Sequence, residues 1–353
     1  MKALSKKSVI IIVVAIAIAL AIILVAIADA VYQKRNTPHT HTGIAMGSAV
    51  SQKIYGNNIC ADVFDAISSL DTDKLSTTTD SSEISLINNN AGKCAVTVSD
   101  ETINYIKLCI ELAEKTNGAF NPLMGALIDL WDIESANPQI PTNQEIEQAS
   151  LLCDYTQIQI DGNKVYLPKE GMKLHLGAAG KGIACDSTRE TIEKSGDVRG
   201  AVVSVGGSVM TYGKNPENDC WTVGVRDPKG NVNDLLGVLK SDGESYTSTS
   251  GSYEKYFEQD GKRYHHILDY STGAPAGSEL VGVTVVAPSG ILSDALSTAC
   301  FVLGVENSLP ILSQYNCQAI FVFGNGNIII TEGIADSFEL RNNSYRIAQV
   351  AQL

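Results

Sequence analysis

The chain has 353 residues, of which 44% are hydrophobic and 18% are charged, and its 39 Asp and Glu residues outnumber 26 Lys and Arg. This apolar fraction can bury a sizeable core, so the composition excludes wholesale disorder and collagen-like repetition. The formal net charge of −13 argues against nucleic-acid binding through a basic patch. A single small anion can still be held locally, by a cation or by a helix N-terminus.

The N-terminal segment is predicted to lie outside the folded domain. Three of the first seven residues are lysines, and an uncharged run from Val9 to Ala28 follows them. Such a run is long enough to cross a bilayer as a helix. Ala28-Asp29-Ala30 also fits the small-x-small pattern of a cleavage site. Residues 1–30 are therefore either an uncleaved membrane anchor or a signal peptide.

The rest of the chain is predicted to be exported, because the lysines precede the apolar run and few follow it. We predict a polar linker over residues 31–42 and a domain over residues 43–345. The eight cysteines contain no C-x-x-C pair, which argues against zinc binding and thioredoxin chemistry. Exported cysteines can pair, but Cys109 and Cys300 lie in apolar stretches, which favours buried free thiols.

Hydrophobic periodicity predicts an α+β fold with largely antiparallel sheets and flanking helices, because strand-like runs follow one another by turns more often than by helices. Asp161-Gly162 predicts a hairpin turn, and Thr142 with Glu145 predicts a capping box. The predicted helices cover 59–70, 100–116, 142–152, 182–195, 294–303 and 306–314. The predicted strands cover 201–205, 221–226, 236–240, 281–287, 319–323 and 328–331.

Two glycine-rich segments suit the binding of a ligand. The segment Leu174–Asp186 (LHLGAAGKGIACD) is predicted as a strand end, a small-residue turn and a helix start. Backbone N–H groups at that helix start, with Lys181, would suit a diphosphate, although an ordinary tight turn has the same pattern. The segment Ser204–Ser208 (SVGGS) is either a bulge or a backbone wall against a planar ligand. Neither segment matches the dinucleotide-binding fingerprint or the P-loop.

Two further segments carry groups for catalysis. Adjacent His265 and His266 form an acid/base site, a metal site or a solvated strand edge, since histidine titrates near neutral pH. Asp294 and Thr298 lie at i and i+4 of a predicted helix, on one face. Two oxygen donors of this kind suit Mg²⁺ bound with substrate phosphates, although a helix cap with a core threonine has the same spacing. Together the segments indicate chemistry on a phosphoanhydride.

The succession of motifs resembles the ApbE family of FAD:protein FMN transferases. The resemblance covers about residues 43 to 335. The motifs that carry it are SSEISLIN, NGAFNPLMGALIDLW, LHLGAAGKGIACD, VVSVGGSV, TSGSYEKYFEQDGKRYHHILDYSTGAP and VTVVAPSGILSDALSTACFVLG. It implies a T-fold-related architecture and an Mg²⁺-dependent reaction. In that reaction FAD is split at the diphosphate, AMP leaves, and FMN is joined by a phosphoester to a threonine or serine of an exported flavoprotein.

The resemblance also implies roles for individual residues. His266 of the H-I-L-D run is implied as the general base. Asp294 and Thr298, with the backbone carbonyl of Ala178, are implied as Mg²⁺ ligands. The implied contacts to FAD come from Met46, Thr78, Ala119, Phe120, Asn121, His175, Lys181 and Leu268.

This chain departs from the usual family pattern mainly on the flavin side. Ser48 stands where the family usually has a threonine, and Thr78 stands where it commonly has an aromatic residue. Asn121 and His175 each stand in place of an aspartate, and Tyr270 stands in place of a proline. Relaxed FAD geometry would favour hydrolysis, so an FAD pyrophosphatase that yields free FMN and AMP is an alternative function. A flavin-binding protein without catalysis is a second alternative.

Overall fold

The structure is a computed structural model, and it describes residues 5–218 and 220–353. The α-helices are α1 (Lys6–Asn36), α2 (Cys60–Ser69), α3 (Glu83–Asn89), α4 (Asp100–Lys115), α5 (Gly125–Trp131), α6 (Asn143–Ser150), α7 (Gly177–Ser195) and α8 (Gly290–Gln314). A π-helical turn (Leu70–Leu75) and a 3-10 turn (Tyr155–Gln157) lie between them, and a second 3-10 turn (Glu332–Ile334) follows α8.

The strands are mostly short. They are β1 (His39–Ala45), β2 (Ser48–Gly56), β3 (Val96–Thr97), β4 (Gln159–Asp161), β5 (Lys164–Tyr166), β6 (Val198–Val205), β7 (Ser208–Gly213), β8 (Trp221–Arg226), β9 (Leu235–Ser241), β10 (Ser245–Gly251), β11 (Tyr256–Gln259), β12 (Lys262–His265), β13 (Leu268–Asp269), β14 (Ala274–Pro275), β15 (Leu280–Ala287), β16 (Gln318–Phe323), β17 (Asn327–Thr331), β18 (Phe338–Leu340) and β19 (Arg346–Ala351).

A nine-stranded sheet with the order β1-β2-β6-β7-β10-β15-β16-β17-β19 forms the centre of the domain. Its neighbours pair antiparallel except β17 and β19, which are parallel. Helices α7 and α8 pack against each other and against this sheet. Ile54, Val203, Val285, Ile183 and Phe301 are buried where the sheet meets the helices. The predicted α+β class with largely antiparallel sheets is confirmed.

Local sequence accounts for several helices. The side chain of Ser99 caps α4 by accepting from the Thr102 N–H. The predicted capping box of α6 is present, with Thr142 and Glu145 each accepting from the other's backbone N–H. The hairpin at Asp161-Gly162 joins β4 to β5. These elements were predictable because each signal lies within a few residues along the chain.

The predicted polar linker differs from the structure. Helix α1 continues to Asn36, and β1 begins at His39 and pairs with β2 along its whole length. Only Thr37 and Pro38 separate the two elements, so residues 39–42 belong to the sheet. At the other end, β19 extends the sheet beyond the predicted limit of residue 345.

Two of the helices described are long and apolar enough to cross a membrane. The N-terminal one spans Val9–Gln33, and its most apolar part has no residue buried against the domain. The other is α8, which is a core helix because its residues pack inside the domain. Gly304 breaks the helical geometry of α8 at φ 73° and ψ 179°, which accounts for the two separate helices predicted there.

The cysteines are free, and Cys60, Cys109, Cys153, Cys185, Cys300 and Cys317 are buried. Cys94 is exposed and Cys220 is half-buried. Burial raises the pKa of Cys109 and of Cys300 to about 12, so these thiols stay protonated and inert.

Candidate active site

A cavity of about 920 Å³ lies in the described domain. It lies where the β1–β2 turn, the β6–β7 turn and the first turn of α7 meet the second turn of α8. Every site residue predicted from the sequence lines this cavity. They are Met46, Thr78, Ala119, Phe120, Asn121, His175, Ala178, Lys181, His266, Leu268, Asp294 and Thr298.

Helix α7 presents its N-terminus to the cavity. The helix begins at Gly177, five residues before the predicted start, so the glycine-rich segment forms its first turn. Leu176 at the N-cap position supplies no side-chain hydrogen bond to the backbone N–H groups of this first turn. Those N–H groups and the helix dipole favour an anion at this end. Lys181 adds a positive charge at the same wall.

Asp186 on α7 fixes the start of α8. Its carboxylate accepts hydrogen bonds from the N–H groups of Gly290 at 2.7 Å and Ile291 at 2.8 Å. Burial raises the pKa of Asp186 to about 6, and the two N–H donors oppose that rise. The sequence indicated no partner for Asp186, because a cap supplied from a distant helix leaves no local pattern.

Helices α7 and α8 cross at two glycines. A Cβ atom on Gly182 would lie 2.0 Å from the Gly290 carbonyl oxygen, and a Cβ on Gly290 would lie 2.0 Å from the Gly182 carbonyl oxygen. Real Cβ atoms essentially never approach so closely, and both obstacles are backbone atoms. The close crossing brings Asp294 to within 3.0 Å of the Gly182 N–H.

The replacement G182A is therefore expected to destabilise the domain by about 3 kcal/mol, the upper end for an overpacked core. The urea-unfolding midpoint of the full chain in detergent measures this change. G277A is the matched control, because nothing lies within 4 Å of a Cβ at Gly277, and it is expected to stay within about 0.5 kcal/mol of the parent. Equal stabilities of the two variants would contradict the crossing.

Asp294 is 2% exposed, and its carboxylate projects into the cavity wall. Its Oδ2 accepts from the Gly182 N–H at 3.0 Å. Its Oδ1 has only longer contacts, to the Ser208 hydroxyl at 3.3 Å and to the Lys181 Nζ at 3.7 Å. This oxygen is thus weakly paired for a buried carboxylate, which normally has close partners.

Thr298 lies one helical turn after Asp294 and is half-buried. Its Oγ1 is 3.1 Å from the Ser250 Oγ of β10. The sequence predicted that these two α8 side chains share a face, and both line the cavity.

His266 follows directly after β12, and its ring is held by the backbone of Lys255. The Lys255 carbonyl accepts from the His266 N–H at 3.0 Å and lies 3.2 Å from Nδ1. Since a carbonyl oxygen only accepts, Nδ1 carries the hydrogen and Nε2 keeps a lone pair. Burial lowers the pKa of His266 to about 4, with Lys255 and Lys181 also opposing protonation. The imidazole is therefore a neutral base at neutral pH.

This lowered pKa sets the expected pH dependence of catalysis. As the general base implied by the sequence, His266 would be active as the neutral imidazole, so activity would be lost only as pH falls through its folded-state pKa. Activity is expected to be flat from about pH 8 to about pH 5 and to decline towards pH 4. A pH–rate profile at saturating substrate and divalent cation measures it. An acidic limb centred near pH 6.5, the ordinary value for histidine, would contradict the assignment.

The predicted flavin-contact residues differ in whether their polar side-chain atoms are already hydrogen-bonded within the protein. Asn121 is buried and donates from Nδ2 to the Cys153 carbonyl at 2.8 Å, while its Oδ1 accepts from the Leu123 N–H at 2.8 Å. Both polar atoms of its side-chain amide are thus hydrogen-bonded to the protein backbone. His175 accepts from the Gly177 N–H through Nδ1 at 3.3 Å, and burial lowers its pKa.

Met46 occupies the turn between β1 and β2 with a left-handed φ of 53°. Its N–H donates to the Asp71 Oδ2 at 3.0 Å, and Asp71 lies in the π-helical turn. Strained backbone of this kind persists only where surrounding contacts hold it. Thr78 is exposed beside Ser76, whose hydroxyl is 3.2 Å from its own. Leu268 and Phe120 are buried apolar wall residues.

Several cavity residues were missed in the sequence. They are Asp71, Glu134, Arg226, Ser250, Tyr253 and Glu254. The Arg226 guanidinium lies over the Tyr253 ring at 5.1 Å, and Glu134 pairs with the Lys255 Nζ at 2.6 Å across the cavity rim. Ser250, Tyr253 and Glu254 fall within the histidine-containing motif TSGSYEKYFEQDGKRYHHILDYSTGAP quoted above. The others had no local signal, because distant elements bring them together.

Solved structures share this architecture. The crystal structure of the ApbE protein from Thermotoga maritima has a TM-score of 0.77 and 31% identity, covering 86% of this chain and 100% of that one. The apo form of the flavinyl transferase ApbE from Pseudomonas stutzeri has a TM-score of 0.75 and 26% identity, covering 86% and 98%. The fold and the cavity thus define a protein of the flavin-transferase type.

Sequence comparison gives the family itself. The ApbE family profile matches residues 46–321. An FAD:protein FMN transferase of Klebsiella pneumoniae is 33% identical over 317 residues, 88% of this chain and 98% of that protein. The one from Treponema pallidum is 31% identical over 320 residues, covering 84% and 88%. The chain belongs to the ApbE family and is an enzyme of the transferase class.

Proposed function

We propose that this enzyme transfers FMN from FAD to a threonine or serine hydroxyl of an exported flavoprotein, with Mg²⁺ bound and with release of AMP. One observation carries the proposal. The Asp294–Thr298 oxygen pair, the neutral His266 and the first turn of α7 line a single cavity. The named activity of the relatives supports the same assignment.

The residues around Asp294 fit a magnesium ion. Among the described residues, no group of three or more His, Cys, Asp or Glu side chains is placed to hold a metal, so the donors here are mixed oxygens. Mg²⁺ prefers oxygen ligands and often takes one or two carboxylates together with substrate phosphates and water. The weakly paired Oδ1 of Asp294 and the Thr298 hydroxyl would supply two of them.

The backbone carbonyl of Ala178 would supply a third. In a regular α-helix this carbonyl accepts from the Gly182 N–H. Here the Asp294 carboxylate competes for that hydrogen at 3.0 Å, which weakens the helical hold on the carbonyl. When bound, the ion would neutralise charge on the diphosphate and improve AMP as a leaving group.

His266 would act on the acceptor. Its Nε2 takes the proton of the acceptor hydroxyl as that oxygen forms a bond to the FMN phosphorus, and the bond from this phosphorus to the AMP oxygen breaks. The Lys255 carbonyl keeps the ring oriented during this step by accepting from Nδ1. A positioned base of this kind contributes about 10²–10⁴-fold.

The remaining cavity residues would hold FAD. The α7 N-terminus and Lys181 face the diphosphate, because both favour negative charge. Met46, Phe120 and Leu268 offer apolar contacts, and Thr78, Ala119, Asn121 and His175 complete the wall. Because the Asn121 amide is committed within the fold, its contact to the ligand would be through the backbone or through its shape.

We also infer that the domain acts outside the cytoplasm, next to a membrane. The lysines before the apolar run and the length of the N-terminal helix support this location. Whether this segment is retained as an anchor or cleaved near Ala30 decides how the enzyme is attached. The mass of the mature protein purified from membranes distinguishes the two.

The test uses the full chain in detergent with FAD and Mg²⁺, with and without an acceptor peptide that carries a threonine in a flavinylation motif. Mass spectrometry is expected to show the peptide gaining one FMN, together with free AMP, and chelation of the metal is expected to abolish both. Free FMN and AMP in both samples, with the peptide unmodified, would mean hydrolysis. Tight FAD binding without AMP would mean a flavin-binding protein.

A further inference from the structure

A chain of hydroxyl groups leads from Thr298 into the protein interior. The Thr298 Oγ1 is 3.1 Å from the Ser250 Oγ, and Ser250 is 2.7 Å from the Ser297 Oγ. Ser297 in turn is 2.8 Å from the backbone carbonyl oxygen of Asp294. Ser250 and Ser297 are 8% and 0% exposed, so these contacts are made inside the protein.

Counting hydrogens fixes the direction of this chain. A carbonyl oxygen only accepts, so the hydrogen between Ser297 and Asp294 belongs to Ser297. Ser297 has then used its one hydrogen, and Ser250 must donate to Ser297. Ser250 has in turn used its own, and Thr298 must donate to Ser250. Three hydroxyl hydrogens fill three contacts, and every donor points away from the cavity.

The consequence concerns the Thr298 oxygen. A threonine inside a helix commonly donates to the carbonyl four residues earlier. That carbonyl belongs to Asp294, and Ser297 contacts it instead. With its hydrogen directed to Ser250, Thr298 presents only lone pairs to the cavity. A hydroxyl that presents lone pairs is a cation ligand, whereas one that presents its hydrogen repels a cation.

We propose that Ser250 is a positioning residue which takes the hydrogen of Thr298 and so makes this hydroxyl a competent cation ligand. The inference rests on the proposed function, since it assumes a cation at Asp294 and Thr298. Partners that orient metal ligands in this way typically contribute 10–100-fold to metal affinity. Ser297 extends the effect one step further, because it accepts the Ser250 hydrogen.

The test measures Mn²⁺ binding to the full chain in detergent by the EPR signal of free Mn²⁺, since Mn²⁺ shares the oxygen ligands of Mg²⁺. S250A is expected to raise the Kd about tenfold. S297A frees the Ser250 hydrogen to turn towards Thr298, and it is expected to raise the Kd about threefold, a smaller loss of the same kind. S297A also provides the test if S250A fails to fold.

The matched control is T284V. Thr284 on β15 is buried, and its hydroxyl is 2.8 Å from that of Thr249, the neighbour of Ser250 on β10, outside the hydroxyl chain described above. T284V removes one buried hydroxyl, and with it one hydroxyl–hydroxyl contact, from the same region. Its Kd is expected to stay within about twofold of the parent, while its melting temperature falls as that of S250A does.

The outcomes separate this inference from the proposed function. If D294N abolishes Mn²⁺ binding while S250A and S297A bind Mn²⁺ with the Kd of the parent, the role of Ser250 is overturned and the cation site is kept. Equal increases in S250A and T284V also overturn it, since the effect is then structural. A parent protein that binds no Mn²⁺ overturns the cation site itself, and this inference with it.

Discussion

Replacing Asp294 by asparagine is expected to lower the rate of FMN transfer by about 10³-fold. The change keeps the shape of the side chain but removes the only carboxylate among the proposed cation ligands. An amide would also turn an N–H or a neutral oxygen towards the ion. Losing a cation that stabilises developing charge raises the activation free energy by several kcal/mol, and each 1.36 kcal/mol lowers the rate by a factor of ten.

The rate is measured by FMN incorporation into the acceptor peptide over a range of Mg²⁺ concentrations. D336A is a suitable control, because Asp336 is exposed and far along the chain from the cavity segments, and it is expected to match the parent. A D294N rate above a tenth of the parent rate at high Mg²⁺ would show that the carboxylate is not a cation ligand.

Replacing His266 by glutamine is expected to lower the transfer rate by 10²–10⁴-fold, the usual contribution of a general base. The amide of glutamine can still donate to the Lys255 carbonyl, so the local backbone is preserved. It cannot take up the proton of the acceptor hydroxyl. FAD binding, followed by flavin fluorescence, is expected to change little, because the proposed role is towards the acceptor.

H265Q, a substitution of the adjacent histidine, is the matched control for this experiment. His265 does not line the cavity, and its Nε2 is 3.2 Å from the Ala276 carbonyl. Its replacement is expected to lower stability and leave the transfer rate within about threefold. If H265Q and H266Q lose activity equally, the histidine pair supports the structure of this segment rather than the proton transfer.

The sequence predicted best what lies on one element. Asp294 and Thr298 were placed together because helical spacing alone puts residues i and i+4 on one face. His265 and His266 were singled out as an adjacent pair that titrates near neutral pH, and the resemblance to the family implied His266 as the base. Both inferences needed no knowledge of distant contacts, and Asp294, Thr298 and His266 line the cavity.

What depended on distant elements was missed or misplaced. Strand β10 (SYTSTSG) lacks apolar alternation because its inner face meets α8 through hydroxyl pairs, so its period-2 pattern could not be seen. The first turn of α7 was read as a turn because its glycines have low helix propensity. Gly182, where the predicted helix began, is the glycine needed for the crossing with Gly290, which lies 108 positions further along the chain.

Asn121 shows a different limit. Its family position indicated a ligand contact, and it does line the cavity, but both ends of its amide are bonded to the protein backbone. A residue type and a motif position cannot tell whether a side chain points its polar atoms at a ligand or at its own chain. That depends on where Cys153, on a separate segment, comes to lie.

The short junction between α1 and β1 limits how far the cavity can be from a bilayer. Nine residues lie between Asn36, at the end of α1, and Met46 at the cavity, and a fully extended chain over these ten steps spans about 35 Å. Asn36 is further tied to the domain by the Arg199 guanidinium at 3.0 Å. Were α1 retained in a membrane, the proposed transfer would be confined to acceptor hydroxyls displayed within that distance of the lipid surface.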